Sequence, residues 1–122
     1  MPDRKPTAAE LELLRSLWQL GPATVKDVHA AMQADRPSLT YANVLRLMQV
    51  MHGKGLLRRD ESQRSHVYAP AQARESLRGN LLKELITKAY AGSGKELVMA
   101  ALRGHVSAAE REEIQRFLEE GE

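Results

Sequence analysis

The sequence predicts a mainly α-helical protein. An N-terminal winged helix-turn-helix, three helices plus a β-hairpin wing, is followed by a three-helix C-terminal region suited to dimerisation. Three observations carry this reading. Capping signals punctuate the chain at helix starts. The first 70 residues run helix, helix, helix, basic hairpin, with a tight connection between the second and third helices. The remaining residues carry broad apolar stripes on helices too few to enclose a core of their own. The boundary falls at residue 70, giving a winged-helix domain over 1–70 and a helical homodimerisation domain over 71–122.

Residues 1–6 are polar and Pro-bounded and read as a frayed arm. Thr7 and Glu10 then match a capping box, in which each side chain satisfies the other's free amide hydrogen. Leu11, Leu14, Leu17 and Trp18 follow at helical spacing on one face. The "GPA" at 21–23 stops this helix, and Thr24 caps a second one whose Val25, Val28 and Met32 share a face. The loop "ADRPS" separates it from a third helix capped by Thr40. There Val44, Leu47, Met48 and Met51 recur at i, i+3, i+4 and i+7 and must face the core. Gly53 or Gly55 ends the helix in a left-handed conformation. Leu57 to Asp60 and His66 to Ala69 read as two strands joined by the polar turn "ESQRS".

From Gln72 the pattern changes. Leu77, Leu81, Leu82, Leu85, Ile86 and Tyr90 form a broad stripe on a helix of nearly twenty residues, broken by "GSG" at 92–94. A short helix carries Leu97, Val98 and Leu102. A second capping box, Ser107 with Glu110, opens a last helix with Ile114, Phe117 and Leu118 on one face. Pairing with the same helices of a second chain buries these stripes. A ligand pocket among them is the alternative.

Hydrophobic residues make up 43% and charged residues 28%, which is a globular and not a disordered composition. The net charge of +2 says little, but its distribution says more. Between Arg36 and Pro70 there are six Lys/Arg against two acidic residues, and from Ala71 onward eight against nine. The absence of cysteine excludes disulfides and thiolate metal sites and fits a reducing cytoplasm. No apolar run suffices for a membrane span or a signal peptide. His29, His52, His66 and His105 do not cluster at ligand spacing, and His29 with Asp27 decorates the second helix, so no metal is expected. No nucleophile elbow, carboxylate pair or phosphate loop is present, so neither catalysis nor a cofactor is expected. Gly92-Ser93-Gly94-Lys95 lacks the spacing and preceding strand of a P-loop.

The candidate chemistry lies on the third helix. Opposite its apolar face stand Ala42, Arg46, Gln49 and Gly53, with Asn43 at the flank. A major groove about 12 Å wide admits one such helix. Asn43 suits an adenine edge and Arg46 suits guanine, while Thr40 and Tyr41 at the helix start suit phosphate or a thymine methyl. Arg58, Arg59, Arg64 and His66 on the wing suit the DNA backbone or a minor groove. Two other readings stay open at this point: a winged helix that binds an acidic protein, and a regulator that senses a small ligand.

The segments "LWQLGPATVKDVH" and "VLRLMQVMHGKGLL", with "SHVYAP", resemble the penicillinase-repressor family of bacterial transcription regulators, the BlaI, MecI and CopY group, over nearly the whole chain. The resemblance implies a winged helix on operator DNA and an interlocked homodimer that blocks transcription from inverted repeats. It places Tyr41, Ala42, Asn43 and Arg46 at base-reading positions and Thr40 at the helix cap. Many relatives carry threonines where this chain has Asn43 and Arg46. The β-lactam-responsive members are cut at an Asn-Phe bond by a sensor protease pathway. The matching stretch here, "ELVMAALRG", has no Asn-Phe, which leaves Met99, Ala100 and Ala101 as the possible cleavage region. The cysteine hook of copper-responsive members is absent.

Overall fold

The computed structural model describes residues 5–121, so the arm expected over 1–6 falls largely outside the described residues. Among these, the elements run α1 (Ala8–Leu20), α2 (Val25–Gln33), α3 (Tyr41–Gly53), β1 (Leu57–Asp60), β2 (Val67–Pro70), α4 (Arg74–Ala89), α5 (Gly94–Gly104) and α6 (Ala108–Glu120). The fold is mainly helical with one small antiparallel hairpin, as the sequence predicts. No described helix is long and apolar enough to cross a membrane.

The helix starts follow the capping chemistry. Thr7 and Glu10 exchange bonds at 2.9 and 3.1 Å, and Ser107 and Glu110 do the same. A third capping box, Thr24 with Asp27, opens α2. Asp27 therefore closes a helix end, a more specific role than surface decoration. Between α3 and β1 it is Gly55, at φ +82°, that takes the left-handed turn. The break at "GSG" is a turn through Ala91 and Gly92, both at positive φ, after which Ser93 caps α5.

The chain divides into two units, Met1–Arg78 and Gly79–Glu122. In the first, Leu13, Leu14 and Leu17 of α1 meet Val25, Val28 and Met32 of α2, Val44, Met48 and Met51 of α3, and Leu57 and Tyr68 of the hairpin, all buried. At roughly 1.5–3 kcal/mol for each large side chain, this burial is the main stabilising term. Leu13 replaces the expected Leu11 on the inward face, and Leu47 is only half-buried.

The hairpin pairs Leu57 with Pro70 and Arg59 with Tyr68. Its second strand begins one residue later than expected, at Val67. The "GPA" segment does more than stop α1. Ala23 and Tyr68 exchange backbone bonds at 2.9 and 2.8 Å, so β2 is paired on both edges. That ties the start of α2 to the wing.

Glu10 is the one buried charged residue described, 2% exposed. One carboxylate oxygen accepts from the Thr7 amide, and the other accepts from Lys54 Nζ at 2.8 Å. Burial pushes the Glu10 pKa up, but the Lys54 ammonium and the Thr7 donors outweigh it and hold the carboxyl below its ordinary value. The pair thus pins the start of α1 to the residue that follows α3.

The second unit differs. Among the described residues, none beyond Leu77 is buried. Leu81, Ile86, Tyr90, Leu97, Leu102 and Ile114 are half-buried. Leu82, Leu85, Val98, Met99, Phe117 and Leu118 range from 43% to 71% exposed. Leu77 itself lines a cleft with Leu14, Trp18 and Leu56 and belongs to the first unit's packing.

Glu10→Gln should lower stability by about 1–3 kcal/mol near neutral pH, the usual effect of losing a buried charge-assisted hydrogen bond. A carboxyl with a depressed folded pKa stabilises above its unfolded value, about 4.3, and that contribution is lost as pH falls through the lower folded value. Urea titrations of both proteins should show a gap that is constant above the unfolded carboxyl's titration and closes as pH falls through the lower folded value.

Candidate nucleic-acid interface

Burial of Val44, Met48 and Met51 fixes how α3 is rotated, and this turns Ala42, Asn43, Arg46 and Gln49 outward, all exposed. Thr40 opens the helix in an extended conformation, and its hydroxyl accepts from the Asn43 amide at 3.1 Å. The same hydroxyl donates to Asn43 Oδ1.

His29 has a more specific place than the sequence suggests. It is half-buried, with Nε2 2.8 Å from the carbonyl of Leu39. A carbonyl only accepts, so Nε2 carries the proton. The His29 ring also meets Tyr41 edge-on, with centroids 6.1 Å apart. His29 therefore braces the turn that delivers Thr40 and Tyr41 to the start of α3. A lone histidine on a helix gave no sign of this in the sequence, because its partner lies ten residues away across the turn.

Two clefts flank α3. One, of about 310 Å³, lies between α3, the start of α2 and the wing. Tyr41, Gln49, Arg59, Arg64 and His66 line it, together with Lys26. Lys26 was not among the residues singled out from sequence. Its signal is its position, one residue inside a capped helix that the Ala23–Tyr68 bridge sets beside the wing. The other cleft, of about 300 Å³, runs along the opposite flank, where Asn43, Arg46 and Val50 meet residues of α1 and α2. Arg58 stands exposed on β1 and lines neither described cleft.

The basic residues of this region fall into two groups. Arg36 pairs with Glu12 at 2.9 Å, Lys54 with Glu10 at 2.8 Å, and Arg59 with Glu61 at 2.6 Å. Arg59 is held further by the Tyr68 side chain, which with Glu61 raises its pKa above the usual arginine value. Arg59 holds the Glu61 carboxyl below its ordinary value. Arg46, Arg58, Arg64 and Lys26 form no ion pair among the described residues. These four are the cations free to meet an anion.

Residues 6–120 match the family model described as "Penicillinase repressor". The chain is 29% identical over 112 residues to the "Transcriptional regulator BlaI" of Mycobacterium tuberculosis, in both strain CDC 1551 / Oshkosh and strain ATCC 25618 / H37Rv. The match covers 91% of this chain and 80% of the relative.

His29→Ala removes the brace under Leu39 and the ring beside Tyr41. It should cost about 1 kcal/mol of stability and speed amide hydrogen exchange at the start of α3 more than elsewhere in that helix. Equal exchange along all of α3 in the two proteins would count against the brace.

Proposed function

The chain belongs to the penicillinase repressor family, whose members are transcriptional regulators and not enzymes, and on that premise we propose that it is a sequence-specific DNA-binding repressor acting as a homodimer on palindromic operators. The observation that carries the proposal is the exposed polar face of α3, set beside a wing whose Arg58 and Arg64 have no ion pair among the described residues. In this reading α3 enters a major groove, and Ala42, Asn43, Arg46 and Gln49 meet base edges. Thr40, Tyr41 and His66 line the approach. Arg58, Arg64 and Lys26 meet phosphates, while Arg59 shapes the wing through Glu61 and Tyr68 and contributes less net charge.

Dimerisation is supported by the second unit. It buries no side chain beyond Leu77 among the described residues, yet presents Leu82, Leu85, Val98, Met99, Phe117 and Leu118 at the surface. Three helices without a core of their own gain one by packing against a second copy. Leu81, Ile86, Tyr90, Leu97, Leu102 and Ile114, already half-buried, extend that surface. Leu77 is taken up by the first unit, so the proposed interface begins at Leu81. Two recognition helices related by two-fold symmetry then read half-sites about one turn of DNA apart.

Release follows from loss of the dimer, since one half-site alone binds far more weakly than two linked ones. Met99, Ala100 and Ala101 lie inside α5, and Met99 is 43% exposed. A sensor protease acting there needs α5 to unwind locally, an opening that a helix outside any core permits.

Fluorescence anisotropy against the chain's own upstream DNA and a scrambled duplex tests the repressor reading. Two chains per site and a clear preference for the upstream DNA are expected. With three phosphate contacts per protomer, the slope of log affinity against log salt should be about −5 for the dimer. Arg64→Ala should weaken binding to every duplex and flatten that slope by about 2. Arg46→Ala should cost about 1–3 kcal/mol and relax base preference. Equal, weak binding to both duplexes would point instead to a protein partner for this face.

Leu85→Glu places a charge in the proposed interface and should give monomers by sedimentation, with the first unit still folded. A dimer that survives the substitution removes the interface.

A further inference from the structure

We propose that the Glu10–Lys54 bond fixes the tilt of α3 and thereby determines base specificity, so that Lys54 serves as a positioning residue and not as a DNA phosphate contact. The inference rests on the repressor reading and adds what aims the recognition helix. The anchor is Glu10 on α1. It is 2% exposed, and both of its carboxylate oxygens are engaged, one by the Thr7 amide at 2.9 Å and the other by Lys54 Nζ at 2.8 Å. Lys54 directly follows the last residue of α3, and its own amide donates back to the carbonyl of Val50 within that helix. A movement of the end of α3 therefore carries Lys54 with it and pulls on a carboxylate that is held in place from its other side. Lys54 belongs to the basic stretch by count, yet its charge is met inside the fold.

Apolar burial does not supply this constraint. Val44, Met48 and Met51 decide which face of α3 turns outward, but apolar contact is non-directional and leaves the axis free to tilt. A charge-assisted hydrogen bond is short and directional, and here it acts at the helix end, where leverage is greatest. The start of α3 is held by its cap and by His29. With that end as pivot, Gln49 stands about 13 Å along the axis at about 1.5 Å per residue, and a tilt of roughly 5° displaces it by about 1 Å. A shift of that size breaks a base-edge hydrogen bond. Phosphate contacts through the long side chains of Arg58, Arg64 and Lys26 survive it. An ion pair suits such a role, because a buried pair is a poor source of net stability, while loss of one partner leaves a buried charge unmet.

Glu10→Gln isolates the bond, since glutamine still closes the capping box with Thr7 and loses only the charge that Lys54 meets. The full wild-type chain first selects its preferred duplex from a randomised library. The affinity of each variant is then measured for that duplex and for a scrambled one across a salt series. The ratio of the two affinities does not depend on the fraction of protein that is folded. Glu10→Gln and Lys54→Met should each lower it about tenfold, the worth of one good base contact. Lys54→Met should keep the wild-type affinity for the scrambled duplex and the wild-type salt slope. Lys54→Arg retains the bond and should preserve the ratio. The double variant should lose no more than either single one, as expected of two residues acting as a unit. A Lys54→Met protein that binds both duplexes more weakly, with a flatter salt slope, makes Lys54 a phosphate contact and overturns the inference. An unchanged ratio in Glu10→Gln overturns it too, and leaves the repressor reading standing. If the wild type selects no sequence at all, the repressor reading fails and takes the inference with it.

Discussion

The structure depends on one constraint: α3 must bury Val44, Met48 and Met51 while keeping its other side free. These three side chains are at most 1% exposed, and α3 packs against α2 and β1, so the rotation of α3 is fixed by the core. Once it is fixed, so is the set of residues that can meet anything outside. Both ends of the helix are then secured separately. At its start, His29 holds the Leu39 carbonyl and Thr40 caps the first turn. At its end, Lys54 reaches the buried Glu10 at the start of α1. The proposed reading role needs such bracing, because a small misplacement of a base-contacting side chain forfeits its hydrogen bond.

The second unit lacks such a constraint from within. In the first unit the chain closes a core with its own residues. In the second, six large apolar side chains remain near half exposure or beyond, and no described residue after Leu77 is buried. Capping boxes and local hydrogen bonds hold these helices individually, as at Ser93 and Ser107. Caps contribute about 1 kcal/mol each and do not replace a core. The proposed dimer supplies what the chain lacks, and under that proposal whatever loosens the shared core loosens both proposed DNA contacts together.

Much of this was legible in the sequence, and the reasons are local. Caps announce themselves within four residues, so Thr7, Thr24, Thr40 and Ser107 mark helix starts correctly. The inward stripe of α3 follows from its period. What was not legible depends on distant parts of the chain. Ala23 pairs with Tyr68, forty-odd residues on, and nothing in "GPA" marks a strand. Leu77 shares a stripe with Leu81 and Leu85 by period alone, and only tertiary packing assigns it to the first unit. His29, Lys26 and Glu10 owe their places to neighbours supplied by other elements.

Charge is where this distinction matters most. Counting residues from Arg36 to Pro70 gives a strongly basic stretch, but half of its cations are neutralised at close range: Arg36 by Glu12, Lys54 by Glu10 and Arg59 by Glu61. Two of those acids come from α1, outside the stretch that was counted. The pairs serve the fold, and Arg59 with Glu61 and Tyr68 stiffens the wing. The cations left over from that stretch, Arg46, Arg58 and Arg64, lie on α3 and on the wing, and Lys26, from outside it, joins them at the start of α2. Field and specificity are thereby separated. Cations engaged in pairs repel little and attract little, while the free ones stand where the proposed DNA would lie, and counterion release counts only these. A net charge of +2 is therefore no measure of how strongly this surface attracts a polyanion; the placement of its acids is.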